Sequence, residues 1–302
     1  MKKDLLTLLD LKPPEIFSLV ENAKKFKSLR GKRKHPQPLV GKTLAMIFEK
    51  SSTRTRVSFE VAMSELGGRT INLSGQESQL GRGESYKDTA LVLSRYIHGI
   101  MIRTYSQRNI EELAQYSSVP VINGLSDLCH PVQLLADLLT VMEAKKDLQK
   151  LKIAYVGDGN NMANSWIEAS IVLGFQLNVA CPKGYQPSGA LLTQISSYPQ
   201  ISILSDPIEA VKSADVVYTD TWFSMGQPVD EKKKEVFLPF QVNRELMSHA
   251  SSDAMVLHCL PAHRGEEITS EVMDGRQSYI FEQAENRLHI QKAILAEFLK
   301  VG

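Results

Sequence analysis

Thr43-Leu44-Ala45-Met46-Ile47-Phe48, followed by Ser51-Ser52-Thr53-Arg54-Thr55-Arg56 and by Val57 to Leu66 closed at Gly67-Gly68, is the stretch that decides the fold. The first run is short and apolar and reads as a buried strand. The Val57 to Leu66 segment has helical spacing, the glycine pair ends it, and Ile71 to Leu73 begins a second strand. A strand, a helix and a strand joined this closely form a parallel crossover unit with helices covering the sheet.

The same alternation continues outward. Upstream, Ile16, Leu19, Val20, Ala23 and Phe26 recur at three- and four-residue spacing, giving an amphipathic helix over Pro13 to Phe26. Downstream, Gly99 to Arg103 and Pro120 to Asn123 read as strands, with helices over Ser85 to Ile97, Asn109 to Ser117 and Gln133 to Met142. The charged, turn-prone Ala144 to Lys150 marks a boundary. A second series follows: strand Lys152 to Val156, helix Met162 to Leu173, strand Gln176 to Cys181, then strands Asp215 to Thr219 and Ala254 to His258. The expected fold class is therefore α/β, with two doubly wound domains built on parallel central sheets.

Composition agrees with two such domains. The chain has 302 residues, too many for one comfortable core, with 43% hydrophobic and 23% charged residues, which excludes wholesale disorder. Lys plus Arg total 35 against 34 Asp plus Glu, so the net charge of +1 offers no global field for nucleic acid or an anionic membrane. The basic stretch Lys24 to Lys34 has no aromatic residue after Phe26 on which bases could stack, and it reads as a solvated helix end and loop. Three cysteines, Cys129, Cys181 and Cys259, without a CxxC pair argue against a disulfide framework. The N-terminus lacks a signal-peptide pattern and no apolar run is long enough to span a bilayer, so a cytoplasmic location is expected.

Parallel sheets present ligands at the carboxyl ends of their strands, and the polar motifs fall there. Ser51 to Arg56 packs four hydroxyls and two arginines into a strand-to-helix turn, more than capping needs. Unpaired amide groups and the positive helix end make it an anion site. Gly41-Lys42-Thr43 precedes its strand and lacks the earlier glycine of a phosphate loop, and Gly157-Asp158-Gly159 has Met162 where a dinucleotide loop needs its third glycine. Arg103 ends one strand. His130-Pro131-Val132-Gln133 opens a helix and presents an imidazole and an amide to a carbonyl oxygen. In the second half Asn161, Asp220 and Cys259 each follow a strand. A metal site from Cys129, His130, His258, Cys259 and His263 is disfavoured, since adjacent residues in extended chain point to opposite faces and each neighbouring pair supplies one ligand.

Taken together, Phe48 to Arg56, His130-Pro131-Val132-Gln133, Ser224-Met225-Gly226 and His258-Cys259-Leu260-Pro261 resemble the signatures of the aspartate/ornithine carbamoyltransferase family, the last two being similar to its ornithine branch. The resemblance runs from about Leu5 to Leu299. It implies transfer of the carbamoyl group of carbamoyl phosphate to the side-chain amine of L-ornithine, giving L-citrulline and phosphate in arginine metabolism, in either the biosynthetic or the catabolic direction. It also implies domains at 1–144 for carbamoyl phosphate and 145–285 for ornithine, with a C-terminal helix over 286–302 crossing back to the first domain.

Carried over by resemblance, Ser52, Thr53, Arg54 and Thr55 grip the phosphate and Gln79 reaches carbamoyl phosphate from its loop. Arg103, His130 and Gln133 bind the carbamoyl group and bridging oxygen, while Arg287 and Arg56 add charge on the phosphate side. Asn161, Asp220, Ser224 and Met225 hold the amino-acid end of ornithine. Cys259 and the Leu260 carbonyl lie where the amine meets the carbamoyl group. Arg103, His130, Asp220 and Cys259 are the expected catalytic residues. The resemblance further implies a homotrimer or a multiple of trimers and no metal or organic cofactor. The competing readings are a carbamoyltransferase for putrescine or N-acetylornithine, and a catalytically dead binding relative. Asp220 with Ser224-Met225-Gly226 suits a free α-amino acid, and the retention of Arg54, Arg103 and His130 argues against a dead relative.

Overall fold

A computed structural model describes residues 3–32, 35–74, 79–145, 147–223 and 230–300. The chain divides into two compact units, Met1–Leu139 with Asn286–Gly302, and Thr140–Glu285.

In the first unit the elements run α1 (Pro13–Leu29), β1 (Thr43–Phe48), α2 (Thr53–Glu65), β2 (Arg69–Ser74), α3 (Tyr86–Leu93), β3 (Gly99–Arg103), α4 (Gln107–Tyr116), β4 (Val121–Leu125) and α5 (Pro131–Ala144), whose last turns pass into the second unit. The sheet has the order β2-β1-β3-β4 and is wholly parallel. β3 and β4 are buried along their whole length, which is why they read as mainly apolar runs without alternation. Helix α2 begins at Thr53, ahead of the apolar spacing that starts at Val57, because Ser52 caps it by accepting from Thr55 N. Past its C-terminus the backbone is closely approached: a Cβ on Gly68 would stand 3.3 Å from the Leu39 and Lys42 carbonyl oxygens and would displace the Met63 methyl.

In the second unit the elements run β5 (Lys152–Val156), α6 (Asn161–Leu173), β6 (Gln176–Ala180), α7 (Gly189–Ile195), β7 (Ile201–Leu204), α8 (Pro207–Val211), β8 (Val216–Thr219), α9 (Glu231–Phe237), α10 (Arg244–Met247), β9 (Met255–His258), α11 (Ser270–Met273) and the start of α12 (Ile280–Phe298). Its sheet, β7-β6-β5-β8-β9, is also wholly parallel. Strand β7 escapes sequence reading because it is four residues long, lies at the sheet edge and is only partly buried beyond Ile201. Helix α12 starts at Ile280, ahead of the expected Asn286. Its later turns pack in the first unit, where Lys27 of α1 donates to Asn286 at 2.9 Å and Lys292, fully buried, pairs with Glu65 of α2.

Each sheet order contains one reversal. β1 leads to β2 on one side and β3 lies on the other; β5 leads to β6 and β7 on one side, with β8 and β9 on the other. Such reversals open a crevice at the carboxyl ends of the two strands that diverge, here β1/β3 and β5/β8.

Candidate active site

At the β1/β3 reversal, Phe48 pairs with Arg103, so the strand ends are level, and the backbone amide of Glu49 donates to the Arg103 carbonyl at 3.0 Å. The Arg103 side chain is 5% exposed, a placement that a charge does not take without partners. Ser52 Oγ donates to Thr55 Oγ1 at 3.0 Å. Arg287, carried by α12, donates through Nη2 to the same hydroxyl oxygen at 2.7 Å and through Nη1 to Gln133 Oε1 at 2.6 Å. Gln133 in turn donates to Asp137 Oδ1 at 2.8 Å. Thr55 Oγ1 accepts from both neighbours, so its own hydrogen is left to donate to a ligand. The chain from Asp137 through Gln133 and Arg287 to Thr55 thus fixes a guanidinium at the N-terminus of α2.

His130 stands at the entry of α5 with 4% of its surface exposed. Burial, then the charges of Arg287 and Arg103, hold its pKa well below the usual histidine value. The ring is therefore neutral at ordinary pH, able to give one hydrogen bond and accept another. Around it the field is cationic, suited to an anion or to a carbonyl oxygen that gains negative charge.

The expected residues are not all equally placed. Thr55, Arg103, His130, Gln133 and Arg287 are buried in the first unit, with Ser52 half-buried at the cap and Thr53 and Arg54 exposed on the same first turn. Arg56, expected on the phosphate side, bonds Glu60 at 3.0 Å along the helix face, the ordinary i,i+4 pairing. Gln79 is exposed in a short 3-10 turn, Gln79–Arg82.

The β5/β8 reversal carries the opposite chemistry. Asp220, directly after β8, is 6% exposed. Its Oδ1 accepts from Cys259 Sγ at 3.0 Å and its Oδ2 from Asn160 Nδ2 at 2.8 Å. Asn160 also caps α6, its Oδ1 accepting from Met162 N and Ala163 N, while Tyr155 donates to that oxygen at 3.1 Å. Asn161, singled out from the sequence, is the first residue of α6 and half-buried; its neighbour Asn160 is the one bonded to the carboxylate. Ser224 and Met225 lie outside the described residues.

Leu260 has a left-handed backbone (φ 61°), an uncommon state for a bulky residue, and its amide donates to His258 Nδ1 at 2.8 Å. His258 Nε2 faces Glu267 Oε1 at 3.1 Å, both side chains fully buried. Burial works against the Glu267 charge, yet the His258 hydrogen bond holds its pKa below the usual carboxylate value. Asp220, His258 and Cys259 bring donor atoms within 4.8 Å of one another, so the adjacent pair His258 and Cys259 do share a face, contrary to the alternation expected of extended chain. Both ring nitrogens of His258 are already engaged, which leaves no lone pair for a metal. Cys129 and Cys181 are fully buried, and burial pushes the Cys181 thiol well up, so both are packing residues.

Comparison with known proteins follows this division. Residues 3–143 match the aspartate/ornithine carbamoyltransferase, carbamoyl-P binding domain, and residues 149–298 match the Asp/Orn binding domain of the same family. The chain is 54% identical over 298 residues to the ornithine carbamoyltransferase of Syntrophus aciditrophicus, covering 98% of this chain and 99% of that protein. It is 52% identical to the enzyme of the same name from Pyrococcus horikoshii, over 98% and 96% of the two chains. Among solved structures, ornithine carbamoyltransferase from Pyrococcus furiosus aligns with a TM-score of 0.93 at 51% identity, over 98% of this chain and 96% of that one.

Proposed function

The chain belongs to the aspartate/ornithine carbamoyltransferase family, and we propose that it transfers the carbamoyl group of carbamoyl phosphate to the side-chain amine of L-ornithine, giving L-citrulline and phosphate. The observation that carries this reading is the pair of buried guanidiniums, Arg103 and Arg287, acting on a neutral His130 beside the N-terminus of α2. A dianionic phosphate needs that cationic field, and a carbamoyl oxygen needs neutral and charged donors together.

The residue roles follow from this chemistry. Ser52, Thr53, Arg54, Thr55 and Arg287 hold the phosphate; Arg103, His130 and Gln133 hold the carbamoyl oxygen and the bridging oxygen. Asp220 and Asn161, with Ser224 and Met225, hold the α-amino-acid end of ornithine, while Cys259 and the Leu260 carbonyl attend its amine. The amine must arrive neutral, although its ordinary pKa is near that of lysine, about 10.4. Its lone pair attacks the carbamoyl carbon and forms the C–N bond. The carbonyl electrons move onto oxygen, where Arg103 and His130 stabilise them. Collapse then breaks the bond to the bridging oxygen, which leaves with phosphate. The proton released by nitrogen leaves with the phosphate or passes to the Asp220–Cys259 pair.

On this reading 1–144 form the carbamoyl-phosphate domain, 145–285 the ornithine domain, and 286–302 return Arg287 to the first. A homotrimer or multiple of trimers in the cytoplasm, working in arginine biosynthesis with no metal or cofactor and without nucleic-acid or membrane partners, completes the proposal. The biosynthetic direction is supported by the anabolic naming of a Pyrococcus furiosus relative, and among the described residues no helix is long and apolar enough to cross a membrane. The test is product formation from carbamoyl phosphate with ornithine, putrescine or N-acetylornithine in turn. Ornithine should give the highest kcat/KM by far. A higher value for putrescine, or binding of carbamoyl phosphate with no turnover, overturns the assignment.

A further inference from the structure

Lys233 lies on α9 and was given no role above, and its surroundings are unusual for a lysine. Its Nζ stands 5.2 Å from the Tyr185 ring, 5.4 Å from Phe223 and 5.2 Å from Phe237, a three-sided aromatic cage. The fourth side is Asp158, whose Oδ2 accepts from Nζ at 2.7 Å, and the two side chains are only 12% and 16% exposed. Burying such a pair is costly, and packing alone would be served as well by an apolar side chain of similar size. The pair therefore has to be judged by what it holds.

It holds the loop after β5. Asp158 belongs to the turn Gly157 to Asn160, and the same turn is fastened to the cage by Gly159, whose amide donates to the Tyr185 carbonyl at 2.8 Å. No side chain fits at that point, since a Cβ on Gly159 would stand 2.4 Å from the Gln186 carbonyl carbon. Tyr155 grips the turn from below, donating to the Asp158 carbonyl at 2.8 Å and to Asn160 Oδ1. The product of these constraints is the position of Asn160 Nδ2 on Asp220. Burial pushes the Asp158 pKa up, Lys233 pulls against it, and Asp220 adds to the rise, so Lys233 is the partner that favours the charged carboxylate in this turn.

We infer that Lys233 is a positioning residue for the amino-acid substrate: through Asp158 it fixes the 157–161 turn, and through Asn160 it sets the orientation of the Asp220 carboxylate. The inference rests on the reading that Asp220 receives ornithine, and the experiment separates the two. Initial rates are measured on the full chain with each substrate varied at saturating levels of the other, beside thermal melts, for Lys233→Met, Lys233→Arg, Asp158→Asn and Asp220→Asn.

Lys233→Met should raise the ornithine KM about tenfold, equivalent to ~1.4 kcal/mol, with the carbamoyl-phosphate KM within about twofold of the parent. Lys233→Arg keeps the cation and stacks on the rings, so its ornithine KM should stay within about threefold. If Lys233→Met does not fold, the contrast between Lys233→Arg and Asp158→Asn carries the test, the latter alone raising the ornithine KM. An unchanged ornithine KM in folded Lys233→Met, or equal rises in both KM values, overturns the inference when Asp220→Asn still raises the ornithine KM. An unchanged ornithine KM in Asp220→Asn overturns the underlying reading and this inference with it.

Discussion

The β1/β3 and β5/β8 reversals are the same device used twice with opposite charge. In the first unit the crevice is lined by guanidiniums, a helix N-terminus and a histidine whose charge is suppressed. In the second it is lined by a carboxylate held by a thiol and an amide. The backbone solution is common to both: parallel strands diverge and leave room at their carboxyl ends. What is bound is decided by a handful of side chains just past the strands. An arginine network suits a dianion, and an oriented carboxylate suits an ammonium group.

The sharpest way to break this comparison is to remove the guanidinium that joins α12 to the first crevice. Arg287→Ala deprives Thr55 and Gln133 of a guanidinium donor and, under the proposed assignment, the phosphate of a buried charge. Its kcat/KM for carbamoyl phosphate should fall about 10²–10³-fold, the cost of one preorganised donor at a developing charge. Initial-rate kinetics check it, and a fall under about threefold would remove Arg287 from the site. On the opposite side, Asp220→Asn should lower kcat/KM for ornithine by about 10²-fold, since a charge-assisted contact is worth ~1.5–3 kcal/mol and Cys259 loses its charged acceptor.

A smaller effect distinguishes the crevices by pH. His130 is held neutral in the folded protein, with its pKa depressed, while in the unfolded chain it titrates near about 6.5. The unfolded state therefore binds the extra proton first, and the contribution of this group to stability is lost as pH falls below about 6.5. Urea midpoints should drop between pH 7.5 and pH 5.5, and His130→Gln should flatten part of that slope. An unaltered slope in the variant would show that His130 is not buried neutral. The mildest change is Tyr155→Phe, which removes the donor to Asn160 and to the Asp158 carbonyl. It should cost ~1 kcal/mol of stability with a modest rise in ornithine KM, read by denaturation and kinetics together.

Sequence patterning carries the strands of both sheets well where they are central and buried, as β1, β3 and β5 are, because the apolar run itself is the signal. Edge strand β7 and the short helices α7 to α11 carry no such signal, their residues being shared between solvent and core. At the site, chemistry is more legible than geometry. The density of hydroxyls and arginines at Ser51 to Arg56 marks the proposed anion site, while the Arg56–Glu60 pair along the helix face follows from their i,i+4 spacing. The doublet Asn160-Asn161 advertises an amide near the amino-acid end, but which of the two caps the helix depends on backbone angles no pattern displays. Asp137 has a readable cue, its i,i+4 spacing from Gln133, whereas the Lys233–Asp158 pair joins residues far apart in the chain and has none.

The division of labour between the crevices is tested by the KM for each substrate, measured with the other saturating, in Arg287→Ala and in Asp220→Asn. A crossed pattern is expected, with Arg287→Ala raising chiefly the carbamoyl-phosphate KM and Asp220→Asn chiefly the ornithine KM. Equal shifts of both constants in either variant would contradict it.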